Sequence, residues 1–135
     1  VKITVAFFSI LTFLAAGCQS QTAQPAADGA VSYIHASAAE FEKLLESDST
    51  AILLDVRTRE EFAVSQIDGA MNIDIKKPDF LAIVKQLDKS KTYLVYCRSG
   101  KRSVDACERM SAEGFACLVN LRGGILEWQR YQAPQ

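Results

Sequence analysis

Apolar and polar positions divide the chain into two unlike parts. Residues 3–16 (ITVAFFSILTFLAA) are apolar apart from Thr4, Ser9 and Thr12, and no charge stands between Lys2 and Asp28. From residue 31 onward, short apolar runs alternate with segments of helical period. Ser37 and Glu40 are spaced as a capping box, which predicts a helix with Phe41, Leu44 and Leu45 on its apolar face. Residues 51–56 (AILLDV) read as a strand covered on both faces, and residues 71–75 as a weaker strand. Residues 78–87 open on a proline, which a helix's first turn accepts, and keep Leu81, Val84 and Leu87 on one side. Residues 92–96 (TYLVY), β-branched and aromatic, predict a strand. A helix over 102–113 is stopped by Gly114, a strand follows over 115–120, and Gly123-Gly124 precedes a short helix carrying Trp128. Strands alternating with helices imply an α/β fold, a mainly parallel central sheet with helices on both faces in three layers.

The front part has a different logic. A basic start, an apolar core shorter than the roughly 20 residues of a membrane span, and small residues at its end describe a secretory signal peptide. Leu14-Ala15-Ala16-Gly17-Cys18 resembles the bacterial lipobox, with Ala15 where a larger aliphatic residue is usual. The organisation expected is a signal peptide over 1–17, a lipidated Cys18 leading a polar spacer over 18–30, and a folded domain over 31–135. Several acyl chains on Cys18 would tether the domain durably to the membrane, in the bacterial cell envelope facing the periplasm or exterior.

Composition narrows the function classes. The 135 residues carry 15 basic and 16 acidic side chains, and a net charge of −1 exerts no global pull toward nucleic acid. Four cysteines are too few for a disulfide-dense scaffold. The single histidine, His35, leaves little for a zinc site and nothing for a Ser-His-Asp triad; it reads as a surface or packing residue. No metal and no cofactor are implied, and a monomer is expected.

In parallel α/β sheets, ligands sit beyond the carboxyl ends of the strands. The strand over 92–96 is followed by Cys97-Arg98-Ser99-Gly100-Lys101-Arg102-Ser103, a cysteine, a glycine-containing loop and a helix start. Such a loop can turn successive backbone N–H groups inward, and the helix adds its positive dipole end. With Arg98, Lys101 and Arg102 close by, these features favour thiolate over thiol and make Cys97 the candidate nucleophile.

At this point the chain is similar to single-domain rhodaneses, which are sulfurtransferases. The first landmark of that family is matched by Leu54-Asp55-Val56-Arg57 with Glu60-Glu61-Phe62. The second is matched in part by residues 65–73, where Ser65 and Gln66 replace the usual Gly and His and Asp74 stands where proline is common. The reactive loop matches from Cys97 to Arg102 and continues with Ser103, and the last landmark is Leu121-Arg122-Gly123-Gly124 with Trp128. The resemblance implies that Cys97 attacks the outer sulfur of thiosulfate or a persulfide, becomes a persulfide, and passes that sulfur to cyanide or a thiol. It implies an anion-binding loop of Arg98, Ser99, Gly100, Lys101, Arg102 and Ser103, with Lys101 and Arg98 meeting the anionic donor and Arg102 orienting the loop.

Two alternatives stand beside this. A persulfide carrier or redox-sensing module would use the same cysteine without turnover. A cysteine phosphatase or arsenate reductase would need arginine six positions after the cysteine, where this chain has Ser103, with Arg102 one short. Of the other cysteines, Cys107 shares helical spacing with Val104 and Met110 and reads as a buried structural thiol. Cys117 opens a strand and is expected to be partly exposed. The two could pair in an oxidising compartment, and Trp128 reads as an aromatic that seals the core.

Overall fold

The computed structural model describes residues 32–134, so the expected signal peptide, Cys18 and the spacer lie outside the described residues. The strands are β1 (Ile34–Ala36), β2 (Ile52–Asp55), β3 (Met71–Asn72), β4 (Thr92–Tyr96) and β5 (Cys117–Leu121). The helices are α1 (Ala38–Ser47), α2 (Arg59–Val64), α3 (Phe80–Val84), α4 (Lys101–Ala112) and α5 (Gly124–Gln132). The sheet runs β1-β5-β4-β2-β3 with every pairing parallel. This is the α/β arrangement expected, with helices on both faces.

Strand parity sorts the core into two layers. Leu53, Leu94, Tyr96, Val119 and Leu121 face one side, where α1 supplies Phe41 and α5 supplies Ile125. Trp128 is half-buried against this layer, edge-on to Phe41, and seals it as expected. Leu54, Tyr93, Val95 and Leu118 face the other side, where α3 supplies Phe80 and Val84 and α4 supplies Ala106, Cys107 and Met110. Cys97 follows β4 by one residue and keeps the parity of Tyr93 and Val95, so it falls on the α4 side. That single feature aims the thiol at the helix that its own loop opens.

Four elements differ from the sequence reading. Helix α2 was not expected at all, yet Thr58 and Glu61 close a complete capping box at its start. With no buried residue, α2 lacks the apolar stripe by which helices are usually recognised. Helix α3 is shorter than 78–87: Pro78 precedes it, the Asp79 cap makes no side-chain bond, and the turn beyond Val84 tightens into Gln86-to-Ile83 and Leu87-to-Val84 bonds. Strand β3 is cut to two residues because its pairing with β2 slips. The Ile73 and Ile75 amides donate to Asp55 and Val56, so two residues advance against one. Strand β5 starts later than 115, since Phe115 and Ala116 donate to Met110 and Lys89 outside the sheet, and it runs on to Leu121.

Candidate active site

The strand order reverses between β2 and β4, and loops leaving neighbouring strands there open a crevice at their carboxyl ends. Val56 donates to the Tyr96 carbonyl at 3.0 Å, which sets the end of β2 level with Cys97. From that point the chain leads into α2 on one side and into the 97–100 loop and α4 on the other.

Cys97 is buried, 1% exposed, at the base of this loop. Its Sγ accepts the Gly100 backbone N–H at 3.2 Å and the Ser103 hydroxyl at 3.4 Å. Burial pushes the thiol up, but the Ser103 hydroxyl and the backbone amides of Ser103, Ser99 and Gly100 outweigh it and bring the pKa below the usual cysteine value. The depression expected from sequence is present, and its leading causes are amides and a hydroxyl rather than the loop's formal charges. Ser103 is itself buried and also donates to the Gly100 carbonyl at 3.1 Å, which holds its hydroxyl in place.

The loop is braced from two sides. Gly100 has φ +94°, and a Cβ there would overlap the Arg122 carbonyl, so only glycine fits. Gly124, φ +61°, would bring a Cβ to 2.5 Å from the Cys97 and Arg98 carbonyl oxygens. Those oxygens instead accept the Ile125 and Leu126 amides at 2.8 and 3.2 Å, docking the start of α5 beneath the loop. The Gly123-Gly124 landmark is thus a close-approach requirement.

The cations divide by role. Arg98 and Lys101 are exposed and form no ion pair among the described residues. Arg102 forms two bonds of 2.7 Å to the two Glu61 carboxylate oxygens, tying the first turn of α4 to α2 across the crevice. The Arg102 guanidinium holds the Glu61 carboxyl down to about 2. The orienting role expected for Arg102 therefore has a concrete partner that the sequence reading did not assign.

Asp55 and Arg57, which the sequence marks only as part of a landmark, form a buried ion pair. Arg57 is 3% exposed, its Nε 3.0 and 2.9 Å from the Asp55 oxygens and its Nη2 2.6 Å from Oδ2. It also donates to the Ser65 carbonyl and lies over the Tyr96 ring. This buried pair fixes the β2–α2 turn, and Asn72 closes it by donating to the Asp55 and Arg57 carbonyls at 3.1 and 2.9 Å. Because Arg57 reads Ser65 through its carbonyl, and Ser65 is extended at φ −162°, no glycine is needed there. Together these contacts position α2, and so Glu61.

The Rhodanese-like domain family matches residues 37–131, which takes in all of these elements from the capping Ser37 to α5. The chain belongs to the rhodanese-like domain family. It is 35% identical over 99 residues to the Bacillus subtilis (strain 168) protein named "Putative sulfurtransferase YtwF", covering 73% of this chain and 93% of that one. It is 34% identical over 92 residues to a protein of Allochromatium vinosum named "Sulfurtransferase", covering 67% and 82%. The crystal structure of a rhodanese-related protein from Thermoplasma volcanium matches with a TM-score of 0.66 at 30% identity, over 76% of this chain and 96% of that one. Sulfur transfer is therefore the chemistry of this rhodanese-like domain at family level.

The remaining cysteines fall as expected in part. Cys107 is fully buried, and burial pushes its thiol up to about 12. It is a free thiol, so the pairing with Cys117 considered from sequence does not form. Cys117 is half-buried at the head of β5. His35 is exposed at the edge strand, its Nδ1 3.0 Å from the Asn120 side-chain nitrogen and its ring edge-on to Tyr33.

Proposed function

We propose that this rhodanese-like domain moves a sulfane sulfur from thiosulfate or a related anionic donor to a thiol or cyanide through a persulfide on Cys97. The observation that carries the reading is the Cys97 sulfur accepting inward-facing donors at the start of α4. The Cys97 thiolate attacks the outer sulfur of thiosulfate; a new S–S bond forms, the old one breaks, and sulfite leaves with the electron pair. Gly100 N–H and the Ser103 hydroxyl, already aimed at that position, stabilise negative sulfur before and after without reorganising. Arg98 and Lys101 draw the dianion to the loop, and Arg102, held by Glu61, keeps the loop in shape. Purified protein given thiosulfate should gain one sulfur atom on Cys97, and cyanide should then yield thiocyanate repeatedly. Cys97→Ser should do neither. Sulfur found mainly on Cys107, or a single loading without turnover, refutes this reading, the latter in favour of a carrier.

The same proposal places the domain on a lipid anchor at Cys18, supported by Lys2, the apolar run over 3–16 and the lipobox-like segment. Labelled palmitate should enter the wild-type protein and not Cys18→Ala; equal labelling removes the anchor.

A further inference from the structure

Beside the reactive loop lies a cavity of about 530 Å³, within the range of small-molecule sites. One wall is a face of α4 on which Arg102, Asp105 and Arg109 follow at helical spacing. The opposite wall is the turn between β3 and α3, with Lys76 and Lys77 exposed on it. Ile75 and Phe80, both buried, give the cavity an apolar floor, and both belong to the core layer that contains Cys97. The cavity therefore begins at Arg102, in the first turn after the loop, and runs about 10 Å along α4 at the helical rise per residue.

The charges are unevenly satisfied. Arg102 is held by Glu61, and Arg109 by Asp105 at 2.9 and 2.8 Å. Lys76 and Lys77 form no ion pair with any described residue; Glu60 feels the charge of Lys77 without bonding to it. Two cations without an ion pair above an apolar floor, with one end at Arg102 in the first turn of α4, suit an elongated organic anion. Thiosulfate would fill only a small part of this volume.

Building on the sulfur-transfer reading, we infer that this cavity is the acceptor subsite, and that it takes an elongated thiol whose carboxylates lie remote from its sulfur. The anionic groups meet Lys76 and Lys77, the chain of the molecule lies on Ile75 and Phe80, and the thiol reaches Cys97 past Arg102. Its thiolate attacks the outer persulfide sulfur; that bond forms, the bond to Cys97 Sγ breaks, and the electron pair returns to the Cys97 thiolate. The released product is the acceptor's own persulfide. No oxidant or reductant is consumed.

Glutathione, which carries two carboxylates, serves as the probe, with 2-mercaptoethanol as an uncharged control. The variant reverses both free cations, Lys76→Glu with Lys77→Glu. Loading of Cys97 from thiosulfate, followed by intact mass, should stay within about twofold of wild type. Discharge of the loaded protein should slow about tenfold with glutathione and stay unchanged with 2-mercaptoethanol, as expected of two screened surface charges. A second measurement does not depend on any sulfur chemistry: S-methylglutathione, which cannot react, should shift backbone amide resonances over residues 75–81 and along α4. Those shifts should require about tenfold more ligand in the double variant. Equal slowing with both thiols, or loading slowed as much as discharge, overturns the acceptor assignment. So does S-methylglutathione binding that is absent at millimolar concentration or unaffected by the two substitutions. Failure of wild-type Cys97 to load would instead strike the sulfur-transfer reading, leaving the binding measurement to decide the subsite.

Discussion

Glu61→Gln tests how α2 governs the reactive loop. In wild type both Glu61 oxygens lie 2.7 Å from Arg102 nitrogens, and the side chains are about a quarter exposed, 29% for Glu61 and 24% for Arg102. The Glu61 carboxyl lies at about 2 against an ordinary 4.5, first through the Arg102 hydrogen bonds, with burial opposing them. At about 1.4 kcal/mol per pKa unit, that difference sets an upper limit of roughly 3 kcal/mol of folding stability. Partial exposure reduces it, because solvent screens the pair, so about 1–2 kcal/mol is expected at neutral pH. A carboxyl depressed on folding stabilises fully above its unfolded value of 4.5 and ceases to as pH falls through about 2. The Gln variant has no proton to gain there. Urea unfolding of both proteins from pH 7 to pH 2 should therefore show a gap of about 1–2 kcal/mol that narrows steadily below pH 5 and closes near pH 2. Glu40, Glu42, Asp48 and Asp88 are also depressed, but they are common to both proteins and cancel in the difference. A gap that stays constant with pH, or no gap at all, would show that the Glu61–Arg102 pair contributes no net charge stabilisation.

Three other substitutions probe the loop. Ser103→Ala removes the hydroxyl donor to Cys97, so the pH profile of Cys97 alkylation should move alkaline; an unmoved profile would leave the amides alone in command. Gly100→Ala should cost more than about 2 kcal/mol in thermal or urea unfolding, because it combines a left-handed φ with overlap of the Arg122 carbonyl; a wild-type midpoint would refute the packing argument. Lys101→Ala should raise the KM for thiosulfate about two- to fivefold and flatten its salt dependence with kcat nearly intact. Loss confined to kcat would place Lys101 in the transition state instead.

Much of this domain was legible from local pattern. Alternation of apolar strands with helices defined the α/β class, because each element must bury a face against another layer. The Ser37 capping box, the TYLVY strand and Gly114 at the end of α4 are signals that neighbours in sequence satisfy among themselves, and each appears where expected. The local structure around Cys97 was legible for the same reason: a strand end, a turning glycine and a helix start are all contiguous with it. The resemblance to rhodaneses added landmarks without saying what each one touches.

What only the tertiary structure decided are the contacts between segments distant along the chain. Glu61 reaches Arg102 across 41 positions, and the Gly124 backbone comes close to the Cys97 carbonyl, because the parallel sheet brings the ends of β2, β4 and β5 to one edge. Helix α2 escaped the hydrophobic pattern because it has no fully buried residue, and its Glu61 pairs with Arg102. The lysines of the β3–α3 turn look like ordinary surface charges in sequence. They flank a cavity only because α3 and α4 pack on the same face of the sheet as Cys97. Hydrophobic periodicity records which face of an element is buried, but it carries no information about which buried or charged group lies opposite. That pairing is set by strand order and register, and here it joins the Cys97 sulfur, its hydrogen-bond donors and the Glu61–Arg102 brace at one end of the sheet.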